Sequence, residues 1–137
     1  PLIVGMAKAL ALGVETMETD GDRLRTLRDQ LWQGIKKIGG VILNGDLEQR
    51  LPSNLNVSIE GVKGQQLLLA LQPHIALSSG SACSSQKAQT SHVLLALGRD
   101  QSLTQASLRF GLSRFTTAED IETAIAIVTQ TINQLRQ

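Results

Sequence analysis

The chain has 137 residues, 42% of them hydrophobic and 18% charged, a composition that suits one globular domain with its own core and leaves no room for two ordinary ones. Thirteen Lys and Arg against twelve Asp and Glu leave a formal charge of +1, and the aromatics are only Trp32, Phe110 and Phe115, so there is neither a phosphate-attracting field nor a stacking platform and nucleic acid is not an expected partner. No apolar run approaches the ~20 residues needed to cross a bilayer, so no membrane association is expected, and the single thiol, Cys83, can form neither an internal disulfide nor a CxxC pair, which fits a reducing, cytoplasmic setting.

The chain opens on Pro1-Leu2-Ile3-Val4-Gly5-Met6 without an initiator Met, a charged leader or a cleavage site, as if cut from something longer. From Leu2 to Met17 runs an Ala- and Leu-rich helical pattern, and beyond Asp20 the residues Leu24, Leu27, Leu31, Ile35 and Ile38 recur at helical spacing, giving one long helix weakened at Gly21 or two helices. Gly39-Gly40 ends it, Val41-Ile42-Leu43 reads as a strand, and Asn44-Gly45 as a turn. Leu55, Val57 and Ile59 alternate with Asn56 and Ser58, the pattern of a half-buried strand. Gln65 to Leu71 predicts a helix stopped by Pro73, and Ile75-Ala76-Leu77 a short strand.

The polar, small-residue stretch 78–91 that follows has no apolar period. Its thirteen residues from Ser79 to Ser91 include no Leu, Ile, Val, Met or aromatic, and it is expected to be an exposed, mobile loop. His92 to Leu97 predicts a helix closed at Gly98, Leu103 to Ala106 a brief helical turn, and Leu108 to Leu112 a strand. Thr116-x-x-Glu119 has the form of a capping box, and Ile121, Ile125, Val128, Ile132 and Leu135 make one apolar face on the helix it would start. The expected fold class is α+β, with a small sheet of three or four strands covered by helices.

Two residues stand out chemically. Lone cysteines are more often buried small hydrophobes than nucleophiles, but Cys83 sits in a Ser/Gly stretch. From Gly61 to Arg99 there is no acidic residue, while Lys63, Lys87 and Arg99 are present, a setting that favours thiolate. Arg109 lies inside a predicted strand, where a long cation is either a snorkelling or salt-bridged edge-strand residue or a planar fork for a carboxylate; the residues alone leave both open. His74 and His92 match no metal-ligand spacing and read as surface or helix-end residues. Gly61-Val62-Lys63-Gly64 lacks the Ser/Thr of a phosphate loop and reads as a strand-to-helix turn, and Ser78, Ser79 and Ser81 form no Gly-x-Ser-x-Gly elbow.

The run Ser78-Ser79-Gly80-Ser81-Ala82-Cys83-Ser84-Ser85 resembles the active-site loop of group I cysteine desulfurases, the type used in nitrogen fixation and general iron–sulfur cluster assembly. Leu31-Trp32-x-Gly34-Ile35, Leu43-Asn44-Gly45-Asp46, Pro52-x-Asn54-Leu55-Asn56-Val57-Ser58, Val93-Leu94-x-Ala96-Leu97-Gly98 and Arg109-Phe110-x-Leu112-x-Arg114-Phe115-Thr116-Thr117 are similar to the same family in its order, over nearly the whole chain.

The resemblance implies the small C-terminal domain of a fold-type I enzyme dependent on pyridoxal 5'-phosphate, with a long N-terminal linking helix. Residues 1–15 would be the end of the large-domain or linker helix, and 16–137 the small domain carrying the Cys loop 78–91. It further implies that Cys83 accepts sulfur from L-cysteine as a persulfide, leaving L-alanine, and that Arg109 holds the substrate carboxylate. The cofactor's lysine, ring-stacking histidine and aspartate would belong to a missing N-terminal domain, so that no residue here binds the cofactor and this chain alone is expected to be inactive. A homodimer and an iron–sulfur scaffold or other sulfur acceptor are the implied partners. The segment Gln86 to Thr90 and His92 departs from the family pattern, which bears on the choice of acceptor. A stand-alone sulfur-carrier module and a non-catalytic dimerisation or folding unit are the alternatives.

Overall fold

The computed structural model describes residues 1–79 and 91–137. Helix α1 runs unbroken from Leu2 to Ile35 and passes through a single 3-10 turn, Lys36–Ile38, to strand β1, Val41–Leu43. Then come β2 (Asn54–Ile59), α2 (Gly64–Leu71), β3 (Ser78–Ser79), α3 (His92–Ala96), α4 (Gln101–Gln105), β4 (Ser107–Gly111) and α5 (Ala118–Leu135). The strands form one antiparallel sheet in the order β1-β2-β4-β3, so the α+β expectation holds, with four strands.

The long first helix survives Gly21 because tertiary contacts straddle it. Before the glycine, Thr16 Oγ1 and Asp20 accept hydrogen bonds from Arg114 at 3.0 and 3.1 Å; after it, Arg23 donates to the carbonyls of Thr116 and Arg114 at 2.8 and 2.7 Å. A mid-helix glycine costs only about 1 kcal/mol relative to alanine, less than these contacts can offset together.

The alternation read in β2 and β4 sorts the two faces of the sheet. Leu55, Val57, Ile59, Leu108 and Phe110 point to one side, where Leu24, Leu27, Leu31 and Ile35 of α1, Leu67 and Leu71 of α2, and Ile121, Val128 and Ile132 of α5 bury against them. Helices α1 and α5 approach closely at Gly34, where a Cβ would run into the Ile125 side chain. The apolar stripe read for α5 is therefore the core-facing one, with Ile125 and Leu135 at its partly buried margin.

Four details differ from the sequence expectation. Residues 75–77 are not a strand: the amides of His74 and Ile75 still bond the Leu71 carbonyl, at 2.9 and 3.0 Å, so the chain is turning off α2 there. Ile75 and Leu77 alternate because they pack on the core, and pairing begins only at Ser78. The stretch expected to be a loop over 78–91 accordingly starts with strand residues, and at its other end Ser91 caps α3, accepting from the Leu94 amide at 3.5 Å. Helix α4 begins earlier than its apolar residues suggest because Asp100 caps it, accepting from the Leu103 amide at 2.8 Å. The capping box of α5 is one residue later than read: Thr117 Oγ1 accepts from the Asp120 amide at 3.1 Å and Asp120 accepts from the Thr117 amide at 2.8 Å. Thr116 instead accepts from the Ser113 amide at 2.9 Å.

Candidate active site

The second face of the sheet is polar. Asn56 and Ser58 of β2 and Ser107 and Arg109 of β4 all point to it, because each lies one residue out of step with the core positions. Over the Ser58 and Ser107 end this face is buried, and the polar groups there are fully engaged. Asn44, buried just past β1, donates from Nδ2 to Asn56 Oδ1 at 2.7 Å and to Ser58 Oγ at 2.9 Å. Its own Oδ1 accepts from Arg99 Nε at 2.7 Å, and Arg99 also donates to the Leu43 carbonyl at 2.8 Å. Ser107 Oγ donates to the Thr104 carbonyl at 2.8 Å. Arg99, counted from the sequence as part of a positive field around the thiol, is thus committed to holding β1 and its following turn.

At the middle of β4 the face opens, and Arg109 stands there exposed. Strand β4 is interior to the sheet, so Arg109 is not an edge-strand residue, and among the described residues it forms no ion pair. Its Nε donates to Ser78 Oγ at 3.2 Å across the β3–β4 ladder, where the two residues are directly opposed. Asn56 is its opposed neighbour on the other side. The arrangement offers a guanidinium on which no carboxylate among the described residues is spent, which is what recognition of an external carboxylate requires.

Cys83 and Lys87, and with them most of the stretch expected to be mobile, lie outside the described residues. In sequence, Cys83 follows Ser78, the hydroxyl partner of Arg109, by five residues. Sequence reasoning singled out Cys83 and Arg109 as candidates but passed over Ser78, Asn44 and Asn56 as members of a polar face; the alternation of Asn56 and Ser58 against Leu55, Val57 and Ile59 was the available signal.

His74 and His92 are exposed at the end of α2 and the start of α3, and among the described residues no group of three His, Cys, Asp or Glu side chains could hold a metal ion. The cleft beside Lys63 does not fit pyridoxal phosphate. Lys63, at the start of α2, lines a cleft of about 570 Å³ together with the carboxylate residues Glu60 and Asp100, which would repel a phosphate, and no aromatic ring lines it to stack on a pyridine.

The family described as aminotransferase class-V matches residues 1–123. Cysteine desulfurase IscS of Shewanella denitrificans is 47% identical over 135 residues, and its counterpart in Salmonella schwarzengrund is 52% identical over 134; each alignment covers 98% of this chain and 33% of the relative. Among solved structures, a NifS-like protein superposes with a TM-score of 0.83 at 28% identity, covering 97% of this chain and 33% of that one. A NifS-like protein from Rickettsia africae also gives 0.83, at 26% identity, over 96% and 34% of the two chains. The chain thus spans about a third of the length of the relatives it matches. Sequence, sheet topology and the long first helix agree: the chain belongs to the class-V aminotransferase family, whose members in general depend on pyridoxal phosphate.

Proposed function

We propose that this chain is the sulfur-accepting third of a cysteine desulfurase, in which Arg109 binds the carboxylate of L-cysteine and Cys83 takes its sulfur. The observation that carries the reading is Arg109 on the open polar face of an interior strand, without an ion-pair partner among the described residues, opposed by the serine that lies five residues before the only thiol of the chain. Similarity to proteins named cysteine desulfurase IscS, at about half identity, supports the same reading.

The transfer is chemically balanced. The Cys83 thiolate attacks the substrate sulfur, an S–S bond forms as the substrate Cβ–S bond breaks, and the electron pair left on carbon takes up a proton to give the methyl group of alanine. The sulfur is oxidised and the carbon reduced, so no external oxidant is needed. In the intact protein, pyridoxal phosphate would supply the electron sink that makes the bond labile, held by residues of the part that this chain does not span. Arg109 orients the amino acid, and the thiolate then carries the persulfide away from the site. We read the assembled protein as a cytoplasmic homodimer that passes sulfur to an iron–sulfur scaffold or another acceptor thiol, following the family resemblance and the single cysteine.

In the intact protein, Cys83→Ser should abolish persulfide formation while L-cysteine still perturbs the cofactor absorbance, because a hydroxyl is a poor nucleophile toward sulfur. Persulfide-forming turnover in that variant would remove Cys83 from the reaction.

A further inference from the structure

We infer that Ser78 is a positioning residue for Arg109, and that it decides which edge of the guanidinium meets the substrate carboxylate. The inference rests on the carboxylate-binding reading of Arg109. A guanidinium can take a carboxylate through two edges, the side formed by Nε and one terminal nitrogen or the end formed by both terminal nitrogens. Ser78 Oγ accepts from Nε at 3.2 Å, and the directly opposed register of β3 and β4 holds the two side chains together on one face. The side edge is therefore closed, and the end edge, whose nitrogens have no acceptor among the described residues, is presented outward.

The other flank of Arg109 is arranged so that it does not compete. Asn56 is opposed to Arg109 on β2, and its amide oxygen would be a natural acceptor for the guanidinium. That oxygen accepts instead from Asn44 Nδ2 at 2.7 Å. Asn44 is in turn turned this way round by Arg99, whose Nε donates to Asn44 Oδ1 at 2.7 Å. Asn44 thus holds the Asn56 amide in place, Asn56 Oδ1 makes no hydrogen bond to the guanidinium, and Ser78 is the acceptor among the described residues that sets the rotation of the Arg109 fork. The free end edge then receives both carboxylate oxygens in one plane, which fixes the amino acid about its Cα–C bond as well as holding its charge.

The test is made in the intact holoprotein with Ser78→Ala, Ser78→Thr, Arg109→Lys and the Ser78→Ala/Arg109→Lys double variant. Ser78→Ala should raise KM for L-cysteine about three- to tenfold, the range expected for one hydrogen bond, with kcat changed less than about twofold. Ser78→Thr, which keeps the hydroxyl on a residue suited to a strand, should restore KM. Cysteamine, which lacks the carboxylate, should bind Ser78→Ala and the parent protein equally. Arg109→Lys should raise KM by itself, and adding Ser78→Ala to it should cost nothing more. A normal KM in Arg109→Lys would overturn the carboxylate reading and this inference with it. A raised KM in Arg109→Lys with an unchanged KM in Ser78→Ala, or equal loss of L-cysteine and cysteamine binding in Ser78→Ala, would overturn the role of Ser78 alone.

Discussion

Asn44 carries more of the structure than its place in an Asn-Gly turn suggests. Its amide faces Arg99 on one side and Asn56 and Ser58 on the other, all within 2.9 Å, and it is buried. Removing it would leave a buried Ser58 hydroxyl and the part-buried Arg99 donor and Asn56 acceptor without that partner, and a buried group left so costs roughly 1–3 kcal/mol. Asn44→Ala should therefore lower stability by about 2–3 kcal/mol in a urea titration, against the few tenths typical of an ordinary turn substitution. The cost should shrink when Arg99 is already alanine, because the two act as one network; equal costs in both backgrounds would show that they are independent. The sequence marked Asn44 as turn punctuation, since Asn-Gly is a local signal. Its second role depends on Arg99, 55 residues away, and no local pattern encodes that partner. Arg109 was legible for the opposite reason: a cation inside an alternating strand is a local anomaly.

At the level of elements, the apolar period found the helices and the caps set their ends. Asp46, Asp100 and Asp120 each accept backbone amides at the start of a turn or helix, from Gln49, Leu103 and Thr117 first among the causes, and these bonds hold all three carboxyls below their ordinary range. A carboxyl whose pKa is lower in the folded chain than in the unfolded one adds stability above the unfolded value and loses it as pH falls through the folded one. The melting temperature should thus be level between about pH 7 and 5 and fall below about pH 4, the ordinary carboxylate range, and Asp100→Asn and Asp120→Asn should each flatten that fall. Thr117→Ala should cost about 1 kcal/mol at neutral pH, as loss of an N-cap does, while Thr116→Ala should leave α5 intact. If Thr116→Ala proved the more damaging of the two, the capping box would be the earlier one read from the sequence. Two adjacent threonines, followed at the third place by Glu119 and Asp120 respectively, satisfy the same pattern, and only the backbone geometry separates them.

The whole molecule divides along α1. From Leu24 onward Leu24, Leu27, Leu31 and Ile35 are buried and Trp32 partly so, whereas Leu2, Ile3, Val4, Met6, Leu10, Val14 and Met17 are each at least 65% exposed. One helical period runs through both halves, so the sequence revealed the stripe but could not say what covers it, because periodicity fixes only the face on which apolar residues lie. A helix of about four turns without a packing partner is marginal in water, and most helix stability in proteins comes from burying such a face. We propose that residues 1–15 belong, in an intact protein of the relatives' length, to the packing of the part that this chain does not span, as the linking-helix reading expects. Amide hydrogen exchange distinguishes the two states of that segment. In the isolated chain, the amides of residues 2–17 should exchange near the unprotected rate while those of Leu24 to Ile35, held by the core, exchange slowly. In the intact protein both halves of α1 should be protected alike, and Leu10→Lys should return the first half to rapid exchange without unprotecting the second. Equal protection of residues 2–17 in the isolated and intact forms would mean that the helix needs no cover, and the assignment of its apolar stripe to the remainder of the protein would fail.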